Sequence, residues 1–176
     1  SNDNSTSGAL TDSDDINITV GAVNDAPVVT PGAASSYTEQ AAATAVNSTI
    51  TVTDVDSTNL TGATVTIDPA TFTATDVLAF TDANGITGSY NSATGVMTLS
   101  GTATVAQYQA ALQSVTFNNS SDAPGTTRTL KWTVTDDLNA TSTIGSSVIN
   151  ITPVNDAPLM TDSDGLATNP LGATGT

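Results

Sequence analysis

The five residues Val23-Asn24-Asp25-Ala26-Pro27 recur as Val154-Asn155-Asp156-Ala157-Pro158, 131 positions later. The lead-in recurs too: Ile16-Asn17-Ile18-Thr19 runs into the first copy and Ile149-Asn150-Ile151-Thr152 into the second. Repetition at a long fixed period marks an array of similar units. It predicts one complete unit over 28–153. Residues 1–23 are then the tail of a preceding unit, 24–27 a joint, and 154–176 a second joint with the start of the next unit. Each Asn-Asp-Ala-Pro is a seam between strands. Pro ends the outgoing strand and fixes φ, and Asn-Asp places short oxygen-bearing side chains there.

The stretch between the joints reads as short strands. Residues 1–15 are polar loop, and Ile16, Ile18 and Val20 alternate as a last strand of the preceding unit. Ser36-Tyr37-Thr38-Glu39 is a short strand, followed by an Ala-rich loop at 40–45. Ile50 and Val52 alternate with Thr49, Thr51 and Thr53, and Val65 and Ile67 mark another strand. Val77–Phe80 and Val96–Leu99 bracket turns at 82–85 and 91–95, a pattern that reads as a β-meander. The β pattern breaks at 104–113. There Val105, Tyr108, Ala111 and Leu112 share a helical face, and Thr104 with Gln107 has capping-box spacing. Strands resume at Val115 and Phe117. Leu130, Trp132 and Val134 then alternate with Thr129, Lys131, Thr133 and Thr135, and a final strand covers 143–152 with Ile149 and Ile151 inward. Many short strands and one short helix predict an all-β antiparallel sandwich with Trp132 as its central aromatic.

Composition limits the function classes. Seventeen acids against two basic residues, Arg128 and Lys131, give a net charge of −15. That excludes nucleic acid and anionic membrane surfaces, which require a basic face. No stretch is apolar enough to span a bilayer, so no direct membrane insertion is expected. Residues 1–30 lack a basic segment followed by an apolar run, so if the protein is exported its signal is expected outside these residues. Cys is absent, which excludes disulfides and thiol chemistry.

Enzymatic chemistry is not expected. His and Cys are both missing, and the many hydroxyls lack a general base. Asp54 and Asp56 form a carboxylate pair, but at a strand end facing a joint, with few aromatics to stack a sugar. The acids suit Ca²⁺ better, because it takes hard oxygen ligands from several loops. Asn24 and Asp25 lie in the joint, Asp54-Val55-Asp56 ends one strand and Asp136 ends another. Three segments distant in sequence thus meet at one end of the sandwich. Lys131 is tested as the lysine of an isopeptide crosslink, which needs a buried Lys beside a buried acid. Alternation puts it on the face opposite Leu130 and Trp132.

These residues carry a resemblance. The two joints, Thr53-Asp54-Val55-Asp56, the run Gly101-Thr102-Ala103-Thr104-Val105-Ala106-Gln107-Tyr108-Gln109-Ala110-Ala111-Leu112 and Thr133-Val134-Thr135-Asp136-Asp137 are similar to the cadherin-like repeats of large bacterial surface adhesins, including RTX-type biofilm adhesins. The resemblance implies a Greek-key sandwich of the cadherin/immunoglobulin type and Ca²⁺ bound between successive domains. Glu39 resembles the early glutamate ligand, Asp54 and Asp56 the Asp-x-Asp pair, and Asp136 the late aspartate. Asn24, Asp25, Asn155 and Asp156 resemble the linker ligands. By that analogy Asp54, Asp56 and Asp136 face the upstream joint with Asn24 and Asp25, and Glu39 faces the downstream joint with Asn155 and Asp156. The sequence departs from the pattern in a linker one residue shorter than the animal form. It also has no Asp-Arg-Glu segment, with the helix around Tyr108 near its place. Fewer ions per joint are implied. Asp162 and Asp164 lie past the second joint.

The function implied is a Ca²⁺-stiffened extender module of a long secreted or surface-attached adhesin, associated with the outer membrane and acting in adhesion or biofilm formation. Its partners are the neighbouring repeats of the same chain. One alternative is a module that grips a polysaccharide or another adhesin copy, for which Tyr37 and Tyr90 are the available surface aromatics. Another is a piece of a multidomain hydrolase whose chemistry lies elsewhere.

Overall fold

The computed structural model describes residues 17–156. Eleven strands and one helix occur among them. In chain order they are β1 (Val28–Thr30), β2 (Ser35–Thr38), β3 (Thr44–Ala45), β4 (Thr51–Thr53), β5 (Asn59–Ile67), β6 (Asp76–Ala79), β7 (Thr87–Asn91), β8 (Val96–Thr104), α1 (Val105–Ser114), β9 (Thr116–Asn119), β10 (Thr127–Asp136) and β11 (Gly145–Thr152). The chain is an all-β sandwich with one short helix. One layer is a six-stranded sheet in the order β2-β11-β10-β5-β8-β7. The other combines the three-stranded sheet β3-β9-β6, the pair β1-β4, and α1. The C-terminal hairpin β10–β11 inserts between β2 and β5, the non-sequential adjacency of a Greek key.

Alternation decides which residues enter the core. Along β10, Leu130, Trp132 and Val134 are fully buried, and Val65 and Ile67 of β5 meet them from the neighbouring strand. The opposite layer contributes Val29, Val52, Leu78 and Phe117, with Tyr108, Ala111 and Leu112 from the helix. Tyr37 and Phe117 bridge the layers edge to face, their ring centroids 5.1 Å apart. Trp132 Nε1 donates to Ser147 Oγ at 2.9 Å, so the central aromatic buries no unpaired donor. The outward positions carry Thr, and Thr64 and Thr133 pair across β5 and β10 with their hydroxyls 2.6 Å apart. Lys131 stands on this outer face and pairs with Asp68 at 2.7 Å, where Lys131 remains 43% exposed.

Helix α1 forms where the sequence predicts it. Thr104 accepts from the Gln107 backbone, and Gln107 Oε1 accepts the Thr104 N–H at 2.9 Å, a reciprocal capping box.

Five local expectations change. The pairing of β2 with β11 is parallel, whereas every other ladder is antiparallel. Both strands therefore leave the sheet at the same end, and Glu39 N–H, just past β2, donates to Thr152 O at 3.0 Å. The stretch read as a meander divides between layers. β7 and β8 form a hairpin in the large sheet, while β6 pairs with β9 in the small one. The Ala-rich loop at 40–45 contains β3, which pairs with β9. Tyr37, expected at the surface, is buried, because it holds the inward phase of β2 beside buried Ile151 and faces Phe117. The strand expected at 16–20 is not formed over the described residues 17–20. Ile18 and Val20 there are 81% and 86% exposed, with no sheet to join. Ile16, the acids of 12–15, Asp162 and Asp164 lie outside the described residues.

Candidate metal centres at the two ends of the sandwich

The upstream end gathers the first joint, the turn after β4 and the turn after β10. Asn24 Nδ2 donates to Asp136 Oδ2 at 2.7 Å, and Asp25 N–H donates to Asp56 Oδ2 at 3.0 Å. Asp54 Oδ1 accepts the N–H groups of Asp56 and Ser57 at 3.1 and 2.8 Å, an Asx turn that fixes the Asp-Val-Asp backbone. Its other oxygen, Oδ2, is buried without a hydrogen-bond partner. Asp136 is buried at the last inward position of β10. Its Oδ1 accepts from Leu138 and Ala140 at 2.9 and 2.8 Å, folding the turn in which Asn139 takes a positive φ of 68°. Burial acts to raise the Asp136 pKa. The bonds from Asn24 and from the Ala140, Leu138 and Asn139 backbones outweigh it and hold the carboxyl below the ordinary 3.8.

A cleft of about 270 Å³ opens beside this end, lined by Asp25, Ala26, Val28, Thr53, Asp54 and Val55. Exposed apolar side chains lie on the joint and on the two turns: Val23 and Val55 are each 81% exposed and Leu138 is 66% exposed. Asn24, Asp25, Asp54, Asp56 and Asp136 thus lie at one end, joined by hydrogen bonds.

The downstream end is built by the parallel β2–β11 pair. Glu39 is 3% exposed, and its Oε2 accepts Val154 N–H at 2.6 Å. Its Oε1 is buried with no partner. Glu39, Asp122 and Asp156 each present a carboxylate oxygen within 4.8 Å of the others, the one such trio among the described residues. The Asn155 amide donates to Asp156 O at 3.4 Å.

Asp122, in the connection between β9 and β10, is a residue that the sequence does not single out. Its partner Gln40 gives the reason it was missed. Gln40 takes a positive φ of 60° and donates from Nε2 to Asp122 Oδ1 at 2.8 Å. No spacing rule links positions 82 apart.

A second buried cluster was also missed. Arg128 is 3% exposed, and its Nε meets Asp76 Oδ2 at 2.6 Å. The Arg128 Nη2 donates to Pro124 O at 2.8 Å and to Thr73 Oγ1 at 3.1 Å, and Asn119 Nδ2 donates to Asp76 Oδ1 at 2.6 Å. This network ties the turn bearing Asp122 to β6 and β10. The signal was available: Arg128 occupies the same inward phase as Leu130 and Trp132.

Oxygen-only donor sets of this kind suit a hard cation and exclude the soft-metal chemistry of thiolates and imidazoles. The buried, unpartnered oxygens of Asp54 and Glu39 are groups whose desolvation is costly until a positive charge meets them. None of the aromatic side chains is exposed; Phe72, Phe80 and Tyr90 pack part-buried against the core. No helix among the described residues is long and apolar enough to cross a membrane.

No family model matches the chain, and no solved structure matches it. The chain is similar to halomucin of Haloquadratum walsbyi, with 36% identity over 128 residues. The match covers 70% of this chain and 1% of halomucin, so the aligned stretch is a very small portion of a very long relative.

Proposed function

We propose that this chain is a Ca²⁺-stiffened structural repeat of a long secreted or surface-attached adhesin. The observation that carries the reading is at the upstream joint. Asn24 and Asp25 are bonded to Asp136 and Asp56, while the buried Asp54 Oδ2 beside them has no partner. No three of the upstream carboxylates bring oxygens within 4.8 Å of one another, so a cation there would be met first by the free Asp54 oxygen, and Asp56, Asp136 and the joint residues would close around it as the charge offsets their mutual repulsion. The linking segment would then hold one angle to the sandwich. The exposed Val23, Val55 and Leu138 give that end an apolar rim suited to a neighbouring repeat of the same kind. The recurrence of Val-Asn-Asp-Ala-Pro at both joints and the similarity to a small part of a very long protein support a module in an array. Its work is mechanical: it extends a chain and resists bending.

The test is calorimetric titration of Ca²⁺ into the chelator-stripped chain and into Asp54→Ala/Asp56→Ala, with circular dichroism to check folding. Saturable binding in the micromolar-to-millimolar range, weakened in the folded double variant, is the expected result. Identical isotherms for the two proteins would remove Asp54 and Asp56 from the ligand set.

A further inference from the structure

We propose that Asn84 is a site of spontaneous self-modification: the backbone nitrogen of Gly85 displaces its side-chain amide, and the product loosens the edge strand β7. The inference is independent of the calcium reading. Asn84-Gly85 is the one Asn-Gly pair in the sequence. It supplies the two central residues of the turn that leads into β7, with φ of 55° and 78°. Ala83 and Ile86 close that turn, each N–H donating to the other's carbonyl at 3.1 and 2.8 Å. Positive φ at both central residues marks a type I′ turn, for which Asn-Gly is a favoured pair.

The turn meets the requirements of the reaction. Asn84 and Gly85 are both exposed. Among the described residues, neither the Asn84 side chain nor the Gly85 N–H is held by a hydrogen bond. Even a Cβ at Gly85 would meet nothing within 4 Å, so no side chain shields the nitrogen. Hydroxide removes the Gly85 amide proton, and the nitrogen bonds to Asn84 Cγ. The Cγ–Nδ2 bond breaks, and Nδ2 leaves as ammonia with a proton from water. Water then opens the five-membered succinimide. Opening at Cγ gives aspartate. Opening at the main-chain carbonyl gives isoaspartate, whose backbone runs through the side chain and is one methylene longer. Water enters, ammonia leaves, and nothing is oxidised or reduced.

The fold restrains the comparable asparagines. Asn139 is exposed and has a φ of 68°, but the next N–H, that of Ala140, donates to Asp136 Oδ1 at 2.8 Å. Asn91 Oδ1 accepts the Ala93 N–H at 3.0 Å. Asn47 and Asn119, each followed by Ser, are buried.

The position of the turn gives the product its effect. The Gly85 carbonyl lies over Gly101, where a Cβ would overlap it. A main chain one methylene longer cannot keep both a two-residue turn and that contact. β7 is the outer strand of the six-stranded sheet and is laddered only to β8. Its Gly88 N–H is taken by Asp82 Oδ1 at 2.9 Å, from the chain just before the turn. Lengthening the turn draws Asp82 away from Gly88 and frees the edge of β7.

The test incubates the 176-residue chain at mildly acidic and mildly alkaline pH. Peptide mass mapping locates the conversion, and an isoaspartyl methyltransferase counts the isoaspartate. Amide exchange over β7 is followed in the same samples. Asn84→Gly, which accepts positive φ and has no side-chain amide, passes through the same steps. The expected result is conversion at Asn84 at least tenfold faster than at Asn139, and faster at alkaline pH. Exchange over β7 should quicken as isoaspartate accumulates, while Asn84→Gly keeps its β7 protection. Asn139 or Asn91 converting as fast as Asn84, or an Asn84 that survives in the folded chain, overturns the assignment. Isoaspartate at position 84 with β7 exchange unchanged overturns the coupling to the strand.

Discussion

Asn24 reaches across 112 positions of sequence to donate its side-chain amide to the buried carboxylate of Asp136 at 2.7 Å. The bond ties the lead-in of the joint to the turn that ends β10. Removing Asn24 loses one charge-assisted hydrogen bond, whereas removing the Asp136 carboxylate also strands the N–H groups of Leu138 and Ala140. Asn24→Ala is therefore expected to cost about 1–2 kcal/mol and Asp136→Ala about 2–4 kcal/mol in urea unfolding. The Asp136 pKa is depressed, so its contribution is present above the ordinary 3.8 and is lost as pH falls through the lower folded value. The difference in stability between wild type and Asn24→Ala should shrink below pH 4. A constant difference down to acid unfolding would contradict the ionised-acceptor assignment.

The Arg128–Asp76 pair is buried on both sides, and breaking such a pair leaves an uncompensated charge in the interior. Arg128→Met alone should destabilise the sandwich by about 3–5 kcal/mol. The double change Arg128→Met/Asp76→Leu should recover much of that loss, since two apolar groups replace two charges. A double variant as unstable as the sum of the singles would mean that the Thr73, Asn119 and Pro124 bonds matter more than the ion pair itself.

Sequence alone yielded the periodic parts of this fold and failed where partners are chosen. The alternation of Leu130, Trp132 and Val134 fixed the buried face of β10, and Thr104 with Gln107 fixed the start of α1. Neither observation depends on what lies opposite. Hydrophobic period gives a strand's face but not its neighbour, which is why β6 was read into a meander that it leaves. β7, Thr-Gly-Ser-Tyr-Asn, has no apolar alternation and is invisible to the same rule. Among the site residues, Asn24, Asp25, Asp54, Asp56 and Asp136 were traceable because a repeated joint and strand ends draw attention to them. Asp122 was not, because its position depends on the fold-back of Gln40. Arg128 was legible and overlooked. An arginine in the inward phase of a core strand demands a buried acid, and β6 supplies Asp76.

Tyr108 gives an alkaline prediction. Its ring is fully buried, and burial pushes the phenol up from 10.0 to about 12. The hydroxyl donates to Gly101 O. In the unfolded chain the phenol ionises near 10, so stability is complete below pH 10 and declines as pH rises towards 12. Tyr108→Phe should lose the hydrogen bond at neutral pH, about 1 kcal/mol, and should also flatten the decline above pH 10. Urea unfolding from pH 8 to 11.5 distinguishes the two proteins. Parallel curves would place the alkaline transition on another group.

Gly101 occupies a position that no other residue fits. Its φ is 130°, and a Cβ there would overlap the Gly85 carbonyl oxygen. The overlap is with backbone, so no side-chain rotation relieves it. A Gly→Ala change at a compatible position stabilises by about 0.4–1 kcal/mol, whereas Gly101→Ala should destabilise by more than that amount. It should also weaken the β7–β8 hairpin selectively, seen as faster amide exchange at Ser89 and Met97. Uniform loss of protection across the sandwich would argue against a local clash.

The open edge of β4 carries the last prediction. β4 pairs with β1 on one side, and on the other it meets α1 instead of a strand. Two glutamines of the helix supply the missing ladder. Val52 N–H donates to Gln109 Oε1 at 3.0 Å, and Gln113 Nε2 donates to Ile50 O at 2.9 Å. An unpaired strand edge is a template for another chain, and side-chain amides from a covering helix remove that hazard. Gln109→Ala should strand the Val52 N–H at a cost of about 1–2 kcal/mol and speed its hydrogen exchange. Adding Gln113→Ala exposes both the donor and the acceptor of the edge, and concentration-dependent association should follow. Sedimentation velocity on the double variant reads it directly. A double variant that stays monomeric while Val52 exchanges faster would show that helix bulk alone guards the edge and that the glutamines serve only to satisfy the backbone.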